Sequence, residues 1–116
     1  MRKIYHLSTC DTCQKILKVL QPLDGFVLQD IKTEAITAQQ LEEMRKIAGS
    51  YEALFSKRAR LFREKGLHDK TLTEKEYKDL ILEHYTFLKR PVILVEDQVF
   101  IGNSKKVVSA ALAYIH

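Results

Sequence analysis

The only two cysteines of the chain, Cys10 and Cys13, bracket Asp11 and Thr12 at the junction of two differently patterned segments. Before them, Lys3-Ile4-Tyr5-His6-Leu7 reads as an apolar strand. After them, Cys13, Ile16, Leu17 and Leu20 form the apolar stripe of a helix. The turn that converts one into the other sets Cys10 at or beside the helix N-terminus, where unpaired backbone N–H groups favour a thiolate. One helical turn separates the two sulfurs, so Cys13 can reach a mixed disulfide formed at Cys10.

A length of 116 residues predicts one domain spanning residues 1–116, large enough to bury a core without disulfide or metal staples. The segment from Met1 to Cys10 carries no signal-peptide hydrophobic stretch, and no apolar run approaches the ~20 residues of a membrane span. The expectation is a cytoplasmic monomer that contacts no membrane. In that compartment a solitary cysteine pair reads as catalytic or metal-binding rather than as a structural bridge. Tetrahedral zinc needs four ligands; the pair supplies two, His6 could add a third, and no His/Cys cluster completes the set. No bound metal or cofactor is therefore expected. Nineteen Lys plus Arg against fifteen Asp plus Glu give a formal charge of +4. Such an excess suits a small anion or an acidic partner surface and is too slight to call for direct nucleic-acid binding.

Asp24-Gly25 marks a turn before a second strand at Phe26-Val27-Leu28. Two helices follow with matching starts. Thr37 with Gln40 forms a capping box, Ile36 and Leu41 a hydrophobic staple, Leu41, Met44 and Ile47 the inward stripe, and Gly49 the stop. Thr73 with Glu76 repeats the box ahead of a stripe of Tyr77, Leu80, Ile81 and His84. The basic stretch from Ser56 to Gly66 predicts a short helix whose charged face is either simply solvated or holds an anion or acidic protein surface. Pro91 opens the buried-strand run Val92-Ile93-Leu94-Val95, Glu96-Asp97-Gln98 turns into Val99-Phe100-Ile101, and Ser104 caps a last helix with Val107, Val108, Ala111, Leu112 and Ile115 inward. The order is β-α-β, a helical insert over about 37–87, then β-β-α: an α/β chain with a mixed four-stranded sheet in the thioredoxin-like arrangement. In that arrangement the proline before the third strand faces the cysteine turn, which makes Arg90-Pro91 the candidate cis bond.

Over nearly its whole length the chain resembles the arsenate reductase (ArsC) and Spx/MgsR family. The residues carrying the resemblance are His6-Leu7-Ser8-Thr9-Cys10, the segment from Ala53-Leu54-Phe55 to Lys65-Gly66-Leu67, and Leu88-Lys89-Arg90-Pro91-Val92. In the reductases for which the family is named, a thiolate attacks arsenate, arginines hold the oxyanion, and glutathione with glutaredoxin regenerates the enzyme. The resemblance implies that Cys10 is the nucleophile, His6 the histidine that tunes it, Arg90 the arginine beside it, and Pro91 the structural residue near the site. Two further arginines of that pattern are replaced: Ser56 aligns with one, with Arg58 and Arg60 two and four residues further on as substitutes, and Gly102 stands at the other. Cys13 and Gly49 instead resemble Spx, whose CxxC oxidation changes its contacts with RNA polymerase.

The expected chemistry is nucleophilic attack by Cys10 on a disulfide or on an oxyanion such as arsenate, with Cys13 resolving the adduct. Thr12, Arg58 and Arg60 are the candidate anion-binding residues. Asp11, next to the nucleophile, disfavours the thiolate and makes Cys10 a weaker acid than a Gly-Pro type of CxxC would. A resolving thiol so near makes thioredoxin as suitable a reductant as glutathione with glutaredoxin. The alternative is a redox-switched regulator that binds the RNA polymerase alpha subunit.

Overall fold

Val92-Ile93-Leu94-Val95 are all buried, as a continuous apolar run is in the interior of a sheet. This strand, β3 (Val92–Val95), pairs antiparallel with β1 (Arg2–His6) on one side and β4 (Gln98–Ile101) on the other, while β2 (Val27–Asp30) lies parallel to β1. The resulting order β2-β1-β3-β4 is the mixed four-stranded sheet expected from the sequence. The computed structural model describes residues 1–116, which pack as two compact units: Met1–Glu34 with Arg90–His116, and Ala35–Lys89.

In the first unit, α1 (Asp11–Leu20) makes the crossover that a parallel β1–β2 pair requires. Alternation along the strands sends Ile4, Ile93 and Val95 to one face. There they meet Ile16, Leu17 and Leu20 of α1 and Ala111 of α5 (Lys105–Ile115), with Val108, Leu112 and Ile115 packed at the margin. The predicted Ser104 cap is in place, its hydroxyl accepting the Val107 N–H at 3.2 Å. Strand directions then decide where function can sit. Tyr5 pairs with Val92, His6 with Asp30, and Val92 with Ile101, so the ends of β1, β2 and β4 and the start of β3 share one edge of the sheet. Both α1 and α5 begin just past that edge.

The second unit holds α2 (Ala38–Ala48), α3 (Arg60–Glu64) and α4 (Glu74–Glu83), joined by single 3-10 turns. Both capping boxes form: Thr37 and Thr73 accept the Gln40 and Glu76 N–H groups at 3.0 and 3.2 Å, and both side chains reach back. Gly49 ends α2 at φ +98°, a left-handed conformation that glycine adopts without strain. Two stripe assignments need correction. Leu41 and Met44 are buried, whereas Ile47 is exposed, because each step of three residues drifts about 60° around a helix of 3.6 residues per turn. His84 is not in α4: the helix stops at Glu83, and His84 is extended, with its Nδ1 accepting the Thr86 N–H at 3.0 Å to cap the next turn. The core here is aromatic. Phe55 packs on Phe87, Tyr77 and Phe62 at centroid distances of 5.2, 4.8 and 5.7 Å, and the backbone of Ser56 and Lys89 is tied to Phe87 and Leu54. No helix is long and apolar enough to cross a membrane.

Because Phe55 is buried among three rings, Phe55→Ala removes transfer energy and leaves a cavity, at a cost of about 3–5 kcal/mol. Urea denaturation followed by circular dichroism should show a lower midpoint, and an unchanged midpoint would contradict this packing.

Candidate active site

Cys10 is the N-cap of α1, in extended conformation, with its backbone N–H donating to the Leu7 carbonyl at 3.0 Å and its carbonyl accepting the Gln14 N–H at 3.1 Å. The strand therefore ends in a tight turn, and the Cys10 sulfur comes out at the helix N-terminus with no capping side chain competing for it. Both cysteines are free thiols; Cys10 is partly exposed and Cys13 is fully buried.

The two thiols are driven in opposite directions. Burial pushes Cys10 up, but hydrogen bonds from the Cys13 backbone and side chain, with the charge and a hydrogen bond of Arg90, outweigh it and leave Cys10 below the ordinary thiol value. Cys13 is pushed up to about 11, first by burial and further by the neighbouring Cys10 charge, which a backbone hydrogen bond at Leu7 and the Arg90 charge only partly offset. Two thiols side by side are thus biased in opposite senses, Cys10 toward the thiolate and Cys13 toward the protonated form.

Arg90 is half-buried two residues before β3, and the Arg90-Pro91 bond is cis, as expected; Gln21-Pro22 is a second cis bond. Gly102 lies beside Pro91, its N–H donating to the Pro91 carbonyl at 3.0 Å. Its φ of +92° is one that an arginine adopts only with strain, so the local turn itself disfavours the arginine of the reductase pattern. Thr12 is exposed on the first turn of α1. Arg58 and Arg60 are exposed in the Ala35–Lys89 unit and thus outside the unit that carries Cys10, Cys13, His6 and Arg90.

His6 sits half-buried at the end of β1. Gln14 donates from its side-chain amide to the Leu7 carbonyl at 3.0 Å, and the same nitrogen lies 3.3 Å from His6 Nδ1. With that amide as donor, a neutral His6 carries its proton on Nε2. Across the β1–β2 pair, Asp30 accepts from the hydroxyl and backbone N–H of Ser8 and the backbone N–H of Lys32. These bonds, with attraction from His6, hold its carboxyl down to about 2. Gln14 and Asp30 fix the turn from Leu7 to Cys10 from two sides, and the sequence reading named neither. Gln14 follows Cys10 by one helical turn, a spacing that could have drawn notice; Asp30 comes into view only through strand register. No group of three or more His, Cys, Asp or Glu side chains is arranged to hold a metal ion.

Known proteins resemble this chain in sequence and in fold. The chain is 26% identical over 102 residues to the global transcriptional regulator Spx 2 of Bacillus cereus, a match covering 85% of this chain and 77% of that protein. Among solved structures, an ArsC family related protein from Bacteroides fragilis superposes with a TM-score of 0.78 at 23% identity, covering 95% of this chain and 96% of that one. An arsenate reductase from Vibrio cholerae gives 0.73 at 21% identity, covering 97% and 95%. At such identities the structures speak for the fold, which is the thioredoxin-like fold expected from the order of elements. The sequence profile of the ArsC family matches residues 5–111, from β1 into the last helix, and on that match the chain belongs to the ArsC family.

Proposed function

We propose that this protein is a dithiol oxidoreductase in which Cys10 attacks and Cys13 resolves, with a disulfide as the favoured substrate and an oxyanion such as arsenate as the other. The observation that carries the reading is the Cys10 sulfur at the N-cap of α1, hydrogen-bonded by Cys13 and Arg90 and so biased toward thiolate. In the first step the Cys10 thiolate bonds to one sulfur of the substrate disulfide and displaces the other as a thiolate. That step removes the negative charge from Cys10 and with it one of the effects that hold Cys13 protonated. Cys13 then loses its proton and attacks Cys10 Sγ, forming the Cys10–Cys13 disulfide and expelling the second substrate thiolate. Two electrons pass from the dithiol to the substrate. Thioredoxin, or glutathione with glutaredoxin, returns them.

Arsenate ranks second because of the count of guanidinium groups. Arg90 is the cationic side chain that acts on Cys10, and Ser56 and Gly102 stand where the reductase pattern has arginines. Each missing charge-assisted hydrogen bond would take away roughly 1.5–3 kcal/mol of oxyanion binding. A regulatory reading is favoured by one observation, the similarity to the Bacillus regulators: the same dithiol would then act as a redox switch for contact with the RNA polymerase alpha subunit. Co-purification with RNA polymerase that depends on the redox state would support it.

Reduction of a small disulfide and arsenate-dependent NADPH oxidation, each coupled separately to thioredoxin and to glutaredoxin, test the main reading. Disulfide reduction should be the faster. Cys13→Ser should stop after one turnover as a mixed disulfide at Cys10, seen by mass spectrometry, whereas continued turnover would remove Cys13 from the role of resolving thiol.

Iodoacetamide labelling across pH should resolve the two thiols. Cys10 should react with a midpoint below that of an ordinary thiol, because a lowered pKa leaves more thiolate at neutral pH, while Cys13 should stay protonated and slow until about pH 11. Equal profiles for the two would defeat the assignment. Arg90→Ala should move the Cys10 midpoint upward, since it removes both a positive charge and a hydrogen bond. Arg90→Lys should recover part of that shift, because lysine restores the charge without the planar fork. If neither variant changes the profile, Arg90 has no part in activating Cys10.

A further inference from the structure

Along the outer side of the first unit, the faces of α1 and α5 wall an open groove of about 330 Å³. From α1 it is lined by Thr12, Lys15, Ile16 and Val19, which fall at i, i+3, i+4 and i+7 and so form one continuous face. From α5 it is lined by Lys105 and Val108 among others. Thr12 closes the end next to the cysteines, being the residue immediately before Cys13. Both helices start just past the sheet edge that carries His6 and Pro91, and the Thr12 end of the groove lies on the first turn of the helix that Cys10 caps.

Three features suit the groove to a partner. Its lining is mainly apolar, and Val19 within it is 56% exposed although it belongs to a helix whose other aliphatic faces are well packed. Its charged lining residues are lysines alone, Lys15 and Lys105, with no carboxylate among the lining side chains. Finally, no salt bridge engages Lys15 or Lys105, so neither ammonium group is neutralised by a carboxylate of the chain itself.

We infer that this groove is the docking site for the protein that exchanges thiols with Cys10, and that it takes a segment presenting one aliphatic side chain flanked by acidic residues. The inference rests on the proposed dithiol chemistry and adds the partner's recognition chemistry to it. The aliphatic side chain covers Ile16, Val19 and Val108. The flanking carboxylates face Lys15 and Lys105, and the geometry carries the partner's sulfur past Thr12 toward Cys10. The groove acts on selection of the partner and leaves the intrinsic reactivity of Cys10 unchanged.

The test uses the reduced full chain and short peptides whose single cysteine is held as a mixed disulfide with thionitrobenzoate, one with Glu residues flanking a Leu, one with Lys residues flanking the Leu, and one with Glu residues flanking a Ser. Release of thionitrobenzoate reports the exchange rate. The Glu-Leu peptide should react faster than the Lys-Leu peptide by roughly threefold to tenfold at low salt, the range that two exposed charge pairs supply, and the difference should shrink at high salt. Lys15→Glu with Lys105→Glu should abolish or reverse that preference, while Lys70→Glu with Lys78→Glu, the same change in net charge in the other unit, should leave it intact. Val19→Ser should remove the advantage of the Glu-Leu over the Glu-Ser peptide. Equal loss of preference in both double variants would reduce the effect to net charge and overturn the groove, as would a preference that survives Lys15→Glu with Lys105→Glu. Labelling of Cys10 by iodoacetamide is read in every variant: it should not change, and if Cys10 is unreactive in the unaltered protein it is the dithiol reading that fails, not the groove.

Discussion

The antiparallel pairing of β1 with β3 is the constraint on which the site depends. It puts Tyr5 against Val92 and so carries the end of β1, with the cysteine turn just beyond it, to the start of β3, where Arg90 and the cis Pro91 stand. Were the two strands parallel, these groups would lie at opposite ends of the sheet. Burial of Ile4 with Ile93, and of Tyr5 with Val92, holds the register, because a slip by one residue would turn every one of these side chains to the other face.

Within that frame, the structure treats two identical thiols unequally. Cys10 sits where the helix begins and receives hydrogen bonds; Cys13, inside the first turn of the helix, is buried and donates one. The difference follows from the geometry of a strand turning into a helix and from a guanidinium brought in by the sheet. Gln14 and Asp30 hold the same turn from the helix side and from β2, so the chain leading into Cys10 is braced by two elements at once. The left-handed Gly102 turn is tied to Pro91, the residue after Arg90, whose charge and hydrogen bond lower Cys10.

Helix starts were the most legible part of the fold. Thr37 with Gln40, Thr73 with Glu76, and Ser104 cap the helices where the sequence puts them, because each cap is made with a partner three residues away and needs nothing from the rest of the chain. Inward faces were less legible. Ile47 and His84 continue an apolar pattern on paper, yet one has rotated out of the core and the other lies past the end of its helix. Periodicity records which side chains could share a face, and packing decides how far along the helix that face stays covered.

The sequence by itself determined the order of elements, the position of Cys10 at a helix start and the approach of Cys13, all of which are set by hydrogen bonds and spacing within a single turn. Tertiary structure alone decided that Asp30 braces the turn, that Gly102 meets Pro91, that Val19 opens onto a groove with two lysines in its lining, and that Cys10 is lowered below an ordinary thiol while Cys13 is held near 11. Those outcomes depend on strand register, burial and the summed field of groups far apart in the chain. None of these is a property of any local stretch of residues.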